Sequence, residues 1–430
     1  ENLRWYYSAP GRKVDEYELA ELFNLLGLLY HSQNKPDKAE KYYLAAIEIC
    51  ERLVKENADA YESDLAASYN NTGAFYAVHG QPQKAEKYFL DAIEIYERLV
   101  ERNADAYEPY LARSYNNAGN LYYEQGQPDK AEKNYLDAIE IYERLVKNNA
   151  DIYEPDLATS YNNAGNFYKD QGQPEKAEKY YLAAIGIRER LVKKNADAYE
   201  PDLAMSYNSA GVFYSDQGQP DKAEKYYLAA IEIRERLVKK NADAFEPALA
   251  VSYNNVGEFY RKQNQSGKAE KYILAAVEIR ERLVEKNAVA YEPDLAMSYN
   301  NAGVFYDDQN QPDKAEKYYL DAIEIYKRLV KENAAAYEPE LAMSCNNVGT
   351  FYAIQGQPGK AEKYFLDAIE IRERLVKKNA AAYEPDLAAS YISYYLLKED
   401  KTYLDKAYEI AKRRQDDPRC RYIVEFVESM

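Results

Sequence analysis

The sequence predicts an all-α solenoid, a stack of helix pairs, and three observations carry that prediction. First, Gly27, Gly73, Gly119, Gly165, Gly211, Gly257, Gly303 and Gly349 stand 46 residues apart, and a fixed period of this size marks a repeat array. Second, each unit holds one further break at a fixed place: Asn34, Gly80, Gly126, Gly172, Gly218, Asn264, Asn310 and Gly356. Only Gly and Asn occur there, the residues that best tolerate the left-handed backbone that stops a helix. Third, the apolar residues after the break step by four and three, as in Ala131, Tyr135, Ala138, Tyr142 and Leu145, which is one face of a helix.

In chain order, residues 1–15 form an atypical lead-in with Trp5, Tyr6 and Tyr7, read as a cap on the exposed end of the stack. Eight repeats follow over 16–383, and the third serves as the type. Glu108-Pro109 opens it, with proline in a first turn where its missing N–H costs nothing. Helix A is expected over Tyr110 to Gln125, and Gly126 stops it. Pro128 restarts the chain as helix B, expected from Asp129 to Lys147. Asn148-Asn149-Ala150-Asp151 is read as the loop to the next unit. Gly186 stands mid-helix where other repeats carry Glu, a choice that costs about 1 kcal/mol. Residues 384–430 begin as a ninth unit and decay: Tyr395 replaces the glycine, Ala407 keeps the register, and Arg419 to Glu428 reads as a closing amphipathic helix.

Composition narrows the function. The formal charge is −17, the wrong sign for a nucleic-acid binder or for attraction to an anionic membrane. No apolar run approaches the ~18 residues of a membrane helix, and the opening residues show no charged-then-apolar signal pattern. Cys50 and Cys345 fall where other repeats have Tyr, so they read as core positions in a reducing, cytoplasmic setting. His31 and His79 lie in different repeats with no Cys or carboxylate at ligand spacing, so no metal is expected. No strand and glycine-rich loop pair cradles a phosphate. The expectation is a non-enzyme without cofactors. Pairs such as Glu132-Lys133 read as a solvated outer face.

Tyr115, Ala118, Gly119, Tyr122, Ala131, Tyr135 and Ala138 resemble the tetratricopeptide repeat signature, and all eight units match it with small changes such as Phe23, Cys345 and Ile273. The resemblance covers about residues 16–383. It implies a right-handed α-solenoid of helix-turn-helix units with atypical caps. The unit is longer than the usual 34 residues and is similar to the long repeats of kinesin light chain and bacterial arrays. Gly119, Ala131 and Ala138 are small where helices A and B approach. Tyr115, Tyr122 and Tyr135 fill the volume around that contact.

On helix A the opposite side is free, and the resemblance implies that it lines a groove for a peptide or protein segment. Two kinds of residue lie there. Asn24, Asn70, Asn116, Asn162, Asn208, Asn254, Asn300 and Asn346 are constant, followed by Asn71, Asn117, Asn163, Asn255, Asn301 and Asn347, with Leu25 and Ser209 as exceptions. An amide donates and accepts, so the row can hold a peptide backbone in register. It can equally bond between helices and only set repeat spacing. The other positions vary. Arg113 is elsewhere Glu21, Ala67, Thr159, Met205, Val251, Met297 and Met343. Asn120 has Asn166 and Glu258 as counterparts, and Tyr123 has His31, Lys169, Arg261 and Asp307. These read a partner's side chains or have drifted on a solvated face. Their mixed charge suits a mixed or modestly basic partner.

The expected function is a protein-protein interaction module, monomeric or weakly self-associating, that binds neither nucleic acid nor membrane. The alternatives are a scaffold or oligomeriser, or the recognition domain of a larger signalling or effector protein.

Overall fold

A computed structural model describes residues 15–33, 35–415 and 417–429. The lead-in residues 1–14 and Asn34 lie outside them. No strand occurs among the described residues. The A helices are α1 (Glu16–Ser32), α3 (Ala58–Val78), α5 (Ala104–Glu124), α7 (Ala150–Asp170), α9 (Ala196–Asp216), α11 (Ala242–Lys262), α13 (Ala288–Asp308) and α15 (Ala334–Ile354). The B helices between them are α2 (Pro36–Glu56), α4 (Pro82–Arg102), α6 (Pro128–Asn148), α8 (Pro174–Lys194), α10 (Pro220–Lys240), α12 (Ser266–Lys286), α14 (Pro312–Glu332) and α16 (Pro358–Lys378). Then come α17 (Ala380–Lys398), α18 (Lys401–Arg413) and α19 (Pro418–Glu428). The chain divides into two compact units, Glu1–Tyr199 and Glu200–Met430. Each is a stack of helix pairs, the architecture of an α-solenoid.

The turn from A to B follows the sequence. Gly80, Gly126, Gly172, Gly218 and Gly356 have φ between 64° and 67°, and Asn264 and Asn310 have φ of 55° and 54°. The Gln127 N–H then bonds the Tyr122 carbonyl at 2.9 Å and closes the end of α5.

The junction from B to A corrects the expected boundaries. The four-residue loop shrinks to one residue: α6 runs to Asn148, α7 starts at Ala150, and only Asn149 lies between. The same asparagine one unit earlier, Asn103, has φ −154° and ψ 88°, and its side chain accepts from the Ala106 N–H. That is an N-cap. Helix A therefore starts six residues before Tyr110, and Pro109 sits inside it. Proline there removes one helical bond, from the carbonyl of exposed Asp105, where water can take its place. Glu108 beside it is 7% exposed and accepts two bonds from Arg144 of α6, at 2.7 and 3.4 Å. The Glu-Pro pair thus marks a buried acid fastened to helix B, rather than a helix start.

Helices A and B touch through the repeat glycine. A Cβ on Gly119 would lie 2.8 Å from the Tyr135 ring, so only hydrogen fits. Tyr135 is 2% exposed, and its hydroxyl donates to Asn120 Oδ1 at 2.7 Å. Tyr115, expected in the core, is only half-buried, and its hydroxyl donates to Glu97 at 2.6 Å.

The outer face is less solvated than Glu132-Lys133 suggested. Tyr168 donates to Glu132 Oε1 at 2.7 Å, and Lys176 reaches the same oxygen at 3.4 Å. Lys176 also lies 4.6 Å above the Tyr168 ring. The trio recurs as Glu86, Tyr122 and Lys130, and in the second unit as Glu224, Tyr260 and Lys268. Burial, then the bond to Glu86, pushes the Tyr122 phenol up to about 12, so it stays a donor. One tyrosine in each of these repeats forms the link to the repeat before it.

Gly186 differs from the repeat glycines because a Cβ there meets nothing within 4 Å. Gly186→Ala is expected to raise stability by about 1 kcal/mol, through helix propensity alone. The urea midpoint checks it, and a lowered midpoint would show that the glycine has a packing role.

Candidate functional site

The candidate face is built on the middle of helix A. A serine comes first, buried in every repeat from the second onward; the first repeat carries Leu22 there. Ser160 donates to the Asp156 carbonyl four residues back at 3.0 Å, which leaves its oxygen free to accept. Asn116 Nδ2 of the preceding A helix donates to it at 2.6 Å. The same bond joins Asn24 to Ser68 at 2.8 Å. In the second unit it joins Asn254 to Ser298 at 3.0 Å and Asn300 to Ser344 at 2.6 Å.

Where helix B carries an arginine, the serine gains a further partner. Where α10 carries Arg234, its Nη1 donates to Ser252 and to the Ala248 carbonyl. Ser252 then donates onward to Asn208 Oδ1 at 3.2 Å. Arg372, Ser390 and Asn346 form the same relay. Burial lowers Arg234 to about 10, still far above neutrality, so the cation persists in the junction.

The constant asparagines therefore lie between repeats. Asn70 and Asn116 are each 8% exposed, Asn162 and Asn254 each 4%, and Asn300 3%. Asn24, Asn208 and Asn346 are half-buried. Of the two readings of this row, the geometry of the spacer is present. A peptide backbone would have to displace these bonds.

The second asparagines, Asn71, Asn117, Asn163, Asn255, Asn301 and Asn347, are half-buried. Asn117 also donates to Asn70 Oδ1 at 3.2 Å. Several variable residues already have partners on the chain. Asn166 Oδ1 accepts from Tyr181 at 2.7 Å, as Asn120 does from Tyr135. Tyr123 donates to Asp170, and Lys169 lies 2.6 Å from that carboxylate. Arg261 makes two bonds to Glu258, both 2.7 Å, and a third to Asp308. Those bonds hold its guanidinium well above its usual range.

What stays open is the register of Arg113. In the second unit it holds Met205 at 39% exposure, Val251 at 37%, Met297 at 39% and Met343 at 42%. In the first unit it holds exposed Arg113 and Thr159. Sequence reasoning listed these residues but gave first place to the asparagines. The helical wheel of one helix shows which residues leave its own pair, and it does not show that the next repeat's serine covers them.

His31 and His79 were not expected to meet. Their ring centroids are 5.2 Å apart. Their separation of 48 positions suggests no shared site until the repeats stack. No group of three or more potential metal-ligating side chains occurs among the described residues. No helix among them is long and apolar enough to cross a membrane.

Comparison with known proteins agrees with this architecture. A family model described as tetratricopeptide repeat matches residues 64–144, 156–236, 202–282 and 248–328. Two further models of the same description match 341–379 and 20–52. No curated protein matches the chain. Among solved structures the chain is similar to the apo form of RapI, at 18% identity and a TM-score of 0.51, covering 73% of this chain and 99% of that one. It is similar to aspartyl phosphate phosphatase F from Bacillus subtilis, at 14% identity and a TM-score of 0.51, covering 95% and 98%. It also matches a kinesin light chain of Podosopora anserina, at 17% identity and a TM-score of 0.36, covering 50% and 98%. At these identities the likeness is one of fold. The 46-residue helix pairs, the glycine–aromatic contact inside seven of the eight pairs and the family matches along the array lead to one assignment: the chain belongs to the tetratricopeptide repeat family.

Proposed function

We propose that the chain is a non-catalytic interaction module that takes an extended peptide or protein segment across the A helices. The observation that carries this reading is the exposed apolar row Met205, Val251, Met297 and Met343, one residue per repeat. A row of exposed apolar side chains on a folded protein marks a contact surface, and methionine adapts to varied partners. Asn255, Asn301 and Asn347 flank the row and supply amide donors and acceptors for a backbone. Adjacent A helices, joined by bonds such as Asn254–Ser298, lie about 8–10 Å apart. An extended chain advances about 10 Å in three residues, so every third residue of the partner would meet one repeat. In the first unit, Arg113, Asn117, Thr159 and Asn163 occupy the matching registers and offer a more polar surface.

The test is a paired measurement. A partner is first captured with the intact chain from its source cell, and its dissociation constant is then measured for M297D and M343D. Both side chains are exposed, so melting should be unchanged while affinity falls tenfold or more for each. Unchanged affinity in both variants would remove the A-helix face as the binding surface.

A second reading has one observation of its own. Leu396 and Tyr422, on α17 and α19, are 63% and 69% exposed, a surface suited to self-association. Light scattering against concentration separates that scaffold reading from a monomeric binder.

A further inference from the structure

The ends of the A helices carry a polar contact from one repeat to the next. Tyr123 meets Asp170, and Arg261 meets Asp308. Both pairs join a donor to a carboxylate. The first and second repeats differ, because there the contact is between two imidazoles. His31 on α1 and His79 at the end of α3 have ring centroids 5.2 Å apart with planes inclined at 55°. No hydrogen bond joins them. Both rings pack on Phe75, His31 edge-on at 5.6 Å and His79 at 4.3 Å, so the pair is held on a rigid apolar seat.

His79 is also oriented. Its Nδ1 lies 2.8 Å from the Phe75 carbonyl oxygen. A carbonyl only accepts, so Nδ1 carries the proton and the Nε2 lone pair is free. This arrangement, one ring nitrogen donating to a backbone carbonyl and the other left as a base, is how proteins prepare a histidine for a metal.

The distance fits a shared ion. With metal–nitrogen bonds of about 2.0–2.1 Å and a ring nitrogen about 1.1 Å from its centroid, the ion sits about 3.2 Å from each centroid. Two centroids 5.2 Å apart then subtend about 110° at the ion, the tetrahedral angle of Zn²⁺.

We propose that His31 and His79 form a two-histidine site for a divalent transition-metal ion, with Zn²⁺ as the best fit in angle and ligand type. The ion links the first repeat to the second. The two imidazoles replace two of its waters. Two coordination positions stay open at a register that belongs to the candidate binding face. The site does not depend on the proposed function: the metal is bound by the chain alone.

The chain has only two histidines, so the imidazole signals of a tagless chain report on this site alone. The experiment titrates it with Zn²⁺ by calorimetry and follows both imidazoles by long-range nitrogen–proton NMR. One equivalent should bind, both rings should shift together, and the melting temperature should rise. The variants are His31→Tyr and His79→Gln, the residues that Tyr123 and Gln125 show at these registers, so both should fold. Each is expected to weaken Zn²⁺ binding at least tenfold and to abolish the thermal shift. Three results would overturn the proposal: no saturable binding, binding that persists in the double variant, or a shift confined to one ring.

Discussion

Gly165→Val is expected to destabilise the first unit by about 3 kcal/mol, the upper end of the usual cost of overpacking a core. A Cβ at Gly165 would stand 2.8 Å from two atoms of the Tyr181 ring. The ring has no room to move away, because Tyr181 is 1% exposed and its hydroxyl is tied to Asn166 at 2.7 Å. Gly165→Ala should fall between, since a gain in helix propensity of about 1 kcal/mol offsets part of the clash. The contrast with Gly186→Ala is useful: two helical glycines in one unit, with opposite signs expected for added side chain. In a repeat array each pair is supported by its neighbours, so the loss should appear as a lowered urea midpoint for the first unit. A double-mutant cycle with Tyr181→Leu isolates the cause. On that background the penalty of Gly165→Val should shrink by at least 1 kcal/mol, because the ring that meets the new methyls is gone. Strict additivity of the two changes would show that the cost lies elsewhere.

The parts of the fold that were legible in the sequence are those fixed by local backbone chemistry. Gly126 and its counterparts require a positive φ, and that requirement is met within a few residues of chain. The pairing of small residue and aromatic, Gly119 against Tyr135, could be anticipated because both lie in one repeat. The boundary between helix B and the next helix A was misplaced because Pro109 is a strong signal and Asn103 a weak one. Proline usually marks a first turn, yet here the capping asparagine lies six residues before it and governs where the helix starts.

The site was less legible, for a related reason. Tyr168 finds Glu132 36 residues away, and Asn116 finds Ser160 44 residues away. Such contacts depend on how repeats stack, and a helical wheel describes one helix only. The wheel correctly pointed Asn116 away from its own pair. It could not show that a serine from the next repeat waits there. For the same reason the sequence kept His31 and His79 apart. The open apolar register at Met205, Val251, Met297 and Met343 was visible as variation between units, and the structure adds that these side chains are 37–42% exposed.

Arg280→Ala is expected to cost about 3 kcal/mol, whereas Arg280→Tyr should be neutral or stabilising. Arg280 is 1% exposed. Its Nη1 donates to the Asp294 carbonyl at 2.8 Å and to Ser298 at 2.6 Å, while its Nη2 has no partner. Burial lowers its pKa, with the Asp294 charge opposing that shift, so the guanidinium is held at a net cost in desolvation. Alanine leaves a cavity and strips Asp294 of its facing cation. Tyrosine fills the space, as Tyr326 does one repeat later at 2% exposure, with its hydroxyl 3.5 Å from the Pro293 carbonyl. Ser298 keeps the Asn254 donor in either case. The unpartnered Nη2 offers an independent check. In the first unit, Arg188 directs the same nitrogen to Thr159 Oγ1 at 3.1 Å, and Val251 occupies the register of Thr159. Val251→Thr should therefore supply the missing acceptor and raise stability by about 1 kcal/mol. Urea midpoints of the three variants decide the matter. If tyrosine costs as much as alanine, the guanidinium's bonds hold the junction together. If threonine gains nothing, the orphaned nitrogen is already satisfied by water, and the junction is wetter than its burial implies.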